Sequence, residues 1–375
     1  MDSHLTRMRL AAAAALALPV LAVAASPGSP AAAQGEAARV VTAYVLNGGA
    51  VTPINTATNK ALKQIPTGGS SSLMVMTPNG KKIYVAGSDN GPGVLPITTA
   101  TNKTGTPILV ARNPSALGVT PHSKTLYIVD QDSNNVDAIS TATNQDVGGF
   151  ETGETPVAIA IAPNAASGYV ANFGDSTVTP FTVATNSAGS PITVTSVPFF
   201  IAITPDSKTA YVVGVASDGV TRTVTPIRTA TNKALKPIHV GTGPNSFGPP
   251  DLAITPDGKT AYVTTDLGVT PINVATNKPG KLIKVPGDAI AITPDGKTAY
   301  ILTSSGTVTP INTATNKALK PIHVGTSAND IAITSNGKTA YVTSNLGVTP
   351  INIATNKPGK LLPISGGAGL FVITP

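Results

Sequence analysis

The sequence predicts an all-β ring of four-stranded sheets, a β-propeller, on three observations. All eight tyrosines (Tyr44, Tyr84, Tyr127, Tyr169, Tyr211, Tyr262, Tyr300 and Tyr341) recur at one repeat position, 38 to 51 residues apart. Four short apolar runs fall between successive tyrosines, a period typical of propeller blades. Two stretches, 261–282 and 340–361, nearly coincide, and "ATNKALKPIHVGT" at 230–242 recurs at 314–326. A unit that cannot bury its own faces has to be repeated beside copies of itself, whereas a catalytic motif is needed once.

Within each repeat the strands are named A ("IAIT"), B ("AYVT"), C ("VTPINTAT") and D ("KPIHVG"). The β-branched content and the absence of a helical period favour strands over helices. The A–B connection "PDGK" carries Asp-Gly, a tight-hairpin signal. The C–D connection "ATNK" carries an Asn able to adopt the left-handed conformation that a turn requires. Seven of the eight C strands hold a proline (Pro53, Pro96, Pro180, Pro226, Pro271, Pro310 and Pro350), with Ala138 in the third repeat. Proline cannot donate to a ladder, so either a bulge or an undemanding position is expected there.

The repeats begin at strand B around Tyr44 and end at strand A, "LFVITP" at 370–375. The expectation is eight blades, with seven as the alternative, closed by pairing of 369–374 with 42–46, which removes an open edge. Ahead of the ring, Arg7, Arg9, an apolar run at 10–24 and small residues beyond it have the layout of a secretory signal peptide. Cleavage is expected after Ala24, Ala25 or Ala33, making 1–33 the signal, 34–39 a linker and 40–375 one propeller domain. The apolar run is short for a membrane span and contains Pro19. No transmembrane segment is expected, and the protein is read as a secreted or envelope-associated monomer.

The motifs "AYVT", "IAITPDGKTAYV" and "TATNK" resemble the YVTN family of β-propeller repeats, found in surface-layer and exported proteins, across residues 40–375. The resemblance implies the propeller fold and an extracellular location. The chain departs from that family's "V-I-D-T-A-T-N" strand, with Asn55 and Asn312 among the residues standing where the family has Asp. Propeller lactonases and lyases, which the chain also resembles in fold, rely on Glu, His and Arg converging on the axis. Here only Glu36, Glu151 and Glu154 exist.

Chemistry is sparse in the sequence. There is no cysteine, which excludes thiol nucleophiles, thiolate metal sites and disulfides. His239 and His323 occupy the same D-strand position and read as a duplicated surface residue; His122 replaces a turn Asp or Asn. No catalytic residue, metal site or cofactor is assigned. The eight tyrosines read as packing between blades.

Charge is patterned. B–C and D–A loops emerge on one face and carry Asp89, Asp130, Asp132, Asp175, Asp218, Asp266, Glu154, Asp251, Asp288 and Asp330. A–B and C–D turns emerge on the other and carry the lysines. The stretch 125–207 has eight acids and no Lys or Arg, whereas 208–375 has 15 basic residues and seven acids. Nucleic acid is not expected as a partner, because the basic residues come singly and lack interleaved aromatics.

The fifth repeat is the longest, with extra length at 215–223 and 241–250, both on the acidic face. Insertions into one repeat map to binding faces. The candidate ligand-binding residues are therefore Asp218, Arg222, Asn245, Phe247, Asp251, Asp288 and Asp330. The expected function is a non-catalytic exported propeller binding a protein, glycan or small molecule, with weak contact of the lysine face to anionic envelope polymers. The alternatives are a hydrolase or lyase at the axial mouth and a structural surface-layer component.

Overall fold

A computed structural model describes residues 41–87, 93–110, 113–242 and 251–375. Every regular element among these is a β-strand, and the strands form eight antiparallel sheets. The inner A strands of successive sheets touch one another in order, and the last touches the first, so the sheets close into a ring. Blades are numbered 1 to 8 by their B-strand tyrosine. Blade 1 is the mixed blade: Phe371–Ile373 pairs with Thr42–Asn47 through Ala43↔Ile373, Tyr44↔Val372 and Val45↔Phe371. The expected eight blades and the expected closure are both found.

Each blade buries its faces against its neighbours. One seam packs Phe200, Tyr211 and Val213 of blade 5 on Leu252, Ile254 and Val263 of blade 6. Each tyrosine crosses such a seam. Its hydroxyl donates to the Asn Oδ1 in the C–D turn of the next blade at 2.5–3.0 Å: Tyr44 to Asn102, Tyr84 to Asn144, Tyr127 to Asn186, Tyr169 to Asn232, Tyr211 to Asn277, Tyr262 to Asn316, Tyr300 to Asn356, and Tyr341 to Asn59. All eight acceptor asparagines have φ between 49° and 59°, the left-handed conformation foreseen for "ATN". The tyrosines are therefore packing residues, as expected, and also donors in a circular chain of inter-blade bonds.

The C-strand prolines find a specific place. Each faces the tyrosine across the B–C pair, and its carbonyl accepts an outer N–H, as in Leu62 to Pro53 at 2.8 Å and Leu319 to Pro310 at 2.7 Å. A strand residue's N–H and C=O point to the same side, so the missing N–H faces strand D. There strand D is broken: Lys60–Ala61 and Ile65–Pro66 pair with strand C, and the regular pairing is interrupted between them. Blade 3, with Ala138 in place of proline, instead has one continuous D strand, Asp146–Glu151.

Candidate functional site at the axial mouth

The B–C and D–A loops are tied together on one face. Thr67 and Ser71 of a D–A loop donate backbone N–H to Gly49 and Gly48 of a B–C loop, and Val324 donates to Gly306 in the same way in blade 7. The A–B and C–D turns are tied on the other face, as in Thr99 to Lys81. The lysine-bearing face is less uniform than the sequence reading held. It also carries Asp206, Asp257 and Asp295, which pair with Lys208, Lys259 and Lys297 at 3.4–3.7 Å. These exposed pairs contribute little stability. Their main role is in the turn: Asp257 Oδ1 accepts from Thr255 Oγ1 at 2.6 Å and from Lys259 N at 3.1 Å.

At the entrance of strand A, one position per blade faces the neighbouring inner strand. Counting back two residues from the partner of each tyrosine gives Leu370, Leu73, Ala116, Ala158, Phe200, Asp251, Ala289 and Asp330. Six blades put an apolar residue there and two put a carboxylate. Asp330 is 4% exposed. Its Oδ1 accepts the N–H of Ile331 at 2.7 Å, and its Oδ2 accepts the N–H of Phe371 in blade 1 at 3.2 Å. Half-buried Asp251 repeats the arrangement, with Oδ1 accepting from Leu252 at 2.8 Å and Oδ2 from Ile290 in blade 7 at 3.0 Å. Burial pushes the Asp251 carboxyl up to about 6. Burial, reinforced by the negative charge of Asp251, pushes Asp330 up to about 8. The two groups thus sense each other across Ala289.

The remaining candidates separate from this pair. Asp288 lies one position earlier, is exposed, and accepts from Ser304 N at 2.6 Å. It stands outside the shared column, where blade 7 places Ala289. The expected long B–C loop of blade 5 is instead a strand extension, with Thr209–Ala216 and Thr221–Arg228 each eight residues long. Asp218 sits in the turn between them. Its carboxylate accepts from Val220 N, Thr221 N and Thr221 Oγ1 at 2.5–2.9 Å, so it serves the turn. Arg222, at 7% exposure, is buried beside blade 6 near Asp266. Asn245, Phe247 and Asp89 lie outside the described residues.

Sequence reasoning named Asp251 and Asp330 but not what they share, a column that is apolar in the other blades. Aligning the eight A strands on the tyrosine partners carries that signal. Asp266 was placed on the acidic face but not among the candidates. The near-duplicates at 261–282 and 340–361 contain the clue, since Asp266 in one copy is Asn345 in the other.

Among solved structures, dihydro-heme d1 dehydrogenase NirN in complex with DHE is similar to the chain with a TM-score of 0.71 and 15% identity, covering 93% of this chain and 78% of that one. A functionally unknown protein from Desulfotomaculum acetoxidans DSM 771 gives a TM-score of 0.59 and 17% identity, covering 89% and 98%. Kuenenia stuttgartiensis hydrazine synthase gives 0.58 and 20%, covering 78% and 95%. At these identities the likeness is one of fold. No curated protein matches the chain. A protein-family model described as "Lactonase, 7-bladed beta-propeller" matches residues 75–357. That span runs from the inner strand of blade 2 (Leu73–Met76) to an outer strand of blade 8 (Lys357–Pro358), which are the seven blades contiguous in sequence. The closing mixed blade makes the eighth. With the match spanning most of the ring, the chain belongs to the lactonase family of β-propellers.

Proposed function

We propose that the protein hydrolyses small cyclic esters at the mouth framed by the B–C and D–A loops. The observation that carries this reading is the pair Asp251 and Asp330, two carboxyls of unequal pKa in an otherwise apolar column of a lactonase-family ring. Unequal neighbours of this kind divide acid and base roles between them. Between about pH 6 and 8, Asp251 is ionised and Asp330 still holds its proton. Asp251 takes a proton from the water that adds to the lactone carbonyl. Asp330 gives its proton to the ring oxygen as the acyl C–O bond breaks, leaving a hydroxy acid. Proton exchange with solvent then resets both groups. Ring opening of a panel of five- and six-membered lactones, followed by pH-stat titration, tests this reading. Hydrolysis is expected to peak between about pH 6 and 8 and to fall at least about 100-fold in Asp251→Asn and Asp330→Asn, the usual scale for losing a general acid or base. No turnover above the buffer rate, or full activity in both folded variants, overturns it.

A second reading has its own support. Both carboxylates accept backbone N–H groups from two strands each, which suits clamps between blades. On that reading the protein is the non-catalytic, YVTN-like exported binder expected from sequence, with the lysine turns touching anionic polymers. The Asn variants would then change stability without any activity being lost.

A further inference from the structure

Among the described residues, Arg222 is a charged group with no ion-pair partner. Its residue is 7% exposed, and no described carboxylate lies within ion-pair distance of its guanidinium. An arginine buried to this degree is normally paired. It exists here only because blade 5 runs two residues longer than its neighbours. At the equivalent position of strand C, blades 6 and 8 have already turned and present Leu267 and Leu346, 50% and 59% exposed.

The register gives its direction. Arg222 is paired with Gly241 of strand D, so both point to the same face of the sheet. A Cβ on Gly241 would lie 3.3 Å from Thr265 Oγ1. That face therefore meets blade 6 at Thr265, and the next residue is Asp266. Asp266 Oδ2 is buried and, among the described residues, also lacks a hydrogen-bond partner. The two groups feel each other's charge, yet no ion pair forms between them. Other nearby charges are engaged: Asp218 by its own turn and Asp288 by Ser304 N. In the duplicated stretch, blade 8 has Asn345 where blade 6 has Asp266, and Asn345 Oδ1 accepts from Asn329 at 3.3 Å. The carboxylate thus stands in the copy that faces an arginine.

We propose that Arg222 and Asp266 form a binding site between blades 5 and 6 for a small zwitterion, an α-amino acid, with its carboxylate on Arg222 and its ammonium on Asp266. Such a ligand completes both buried groups at once. A simple anion would leave Asp266 unsatisfied, with Asp288 opposing any further negative charge. Arg222 lies on strand C and Asp266 in a B–C turn, neither of them in the A-strand column, and the proposal does not depend on the hydrolase reading.

The test is calorimetric titration of the full chain with the twenty common α-amino acids, with acetate and ethylamine as controls. At least one amino acid is expected to bind, and neither control to match it. Asp266→Asn, a residue that the duplicate already carries in the same fold, is expected to weaken that binding at least tenfold. Arg222→Met is expected to abolish it. Equal binding of acetate, binding unaltered in Asp266→Asn, or no binding by any amino acid each overturns the proposal. The last result would make the pair a solvent-bridged contact between blades.

Discussion

At the scale of single residues, the tyrosine–asparagine bond shows how a small repeated contact fixes a large structure. Burial pushes the hydroxyls of Tyr84, Tyr127, Tyr211, Tyr262, Tyr300 and Tyr341 up to about 12. They stay protonated, and remain donors, throughout the neutral range. Tyr262→Phe keeps the ring and loses the hydroxyl's shared bond to Asn316 Oδ1 and Thr313 O, so it should cost about 1 kcal/mol in urea unfolding. A cost near zero would mean that water replaces the tyrosine without loss. Asp330 gives a sharper test through pH. An unfolded aspartate titrates near 4, whereas folded Asp330 titrates at about 8. Across that window the folded chain holds a proton that the unfolded chain has released, so stability falls as pH rises from about 4 to about 8. An amide at this position has no proton to lose, so Asp330→Asn should flatten the slope and raise the melting temperature relative to the parent at pH 9. A parent melting temperature that rises over this window would contradict the buried, protonated state.

At the scale of elements, most of the ring was legible because strand identity rests on local pattern. β-branched runs and the "ATN" turn are short-range signals that every blade carries, and Asp-Gly marks the A–B turns of blades 6 and 7. The open question was the proline in strand C. Its answer lies in strand D, about seven to thirteen residues further on, where the break in the ladder removes any need for the missing N–H. A sequence read strand by strand does not show which ladder a residue's amide faces. Pro310→Ala should therefore leave the fold intact and cost only about 0.4–1 kcal/mol, mainly by loosening the unfolded chain. A larger loss in chemical unfolding would mean that the ring of Pro310 packs as well as fitting. The candidate site was less legible than the strands for a related reason. Asp218 looked free in sequence, but its turn consumes it, while Asp251 and Asp330 gain meaning only when eight strands are laid side by side.

At the scale of the whole molecule, closure was readable from the way the repeats start at strand B and stop at strand A. The joint is also a packing unit. Phe371 stacks on Tyr341 with centroids 5.5 Å apart, and its N–H caps Asp330. Deleting 369–375 removes the inner strand of blade 1, the stacking partner of Tyr341 and the cap on Asp330 together. The loss in unfolding free energy should be at least about 4 kcal/mol, the scale of emptying one large aromatic site. Unchanged stability would show that the mixed blade is dispensable. The family's description counts seven blades, whereas this ring has eight, the one outside the matched span being assembled from two distant pieces of chain.

That joint has one more consequence. Thr374 donates its N–H to Thr42 O, and Thr42 N donates to Thr374 Oγ1, both at 2.9 Å. In blade 6 the same exchange is made by Thr255 and Thr260 around the turn Pro256–Asp257–Gly258–Lys259. Thr374 and Pro375 correspond to Thr255 and Pro256, while Val41 and Thr42 correspond to Lys259 and Thr260. Only an Asp-Gly is missing between them. Joining Pro375 to Val41 through Asp-Gly should recreate a turn that the ring already makes elsewhere. The covalent break could then be moved to another A–B turn, giving a circular permutant whose termini lie at a different blade.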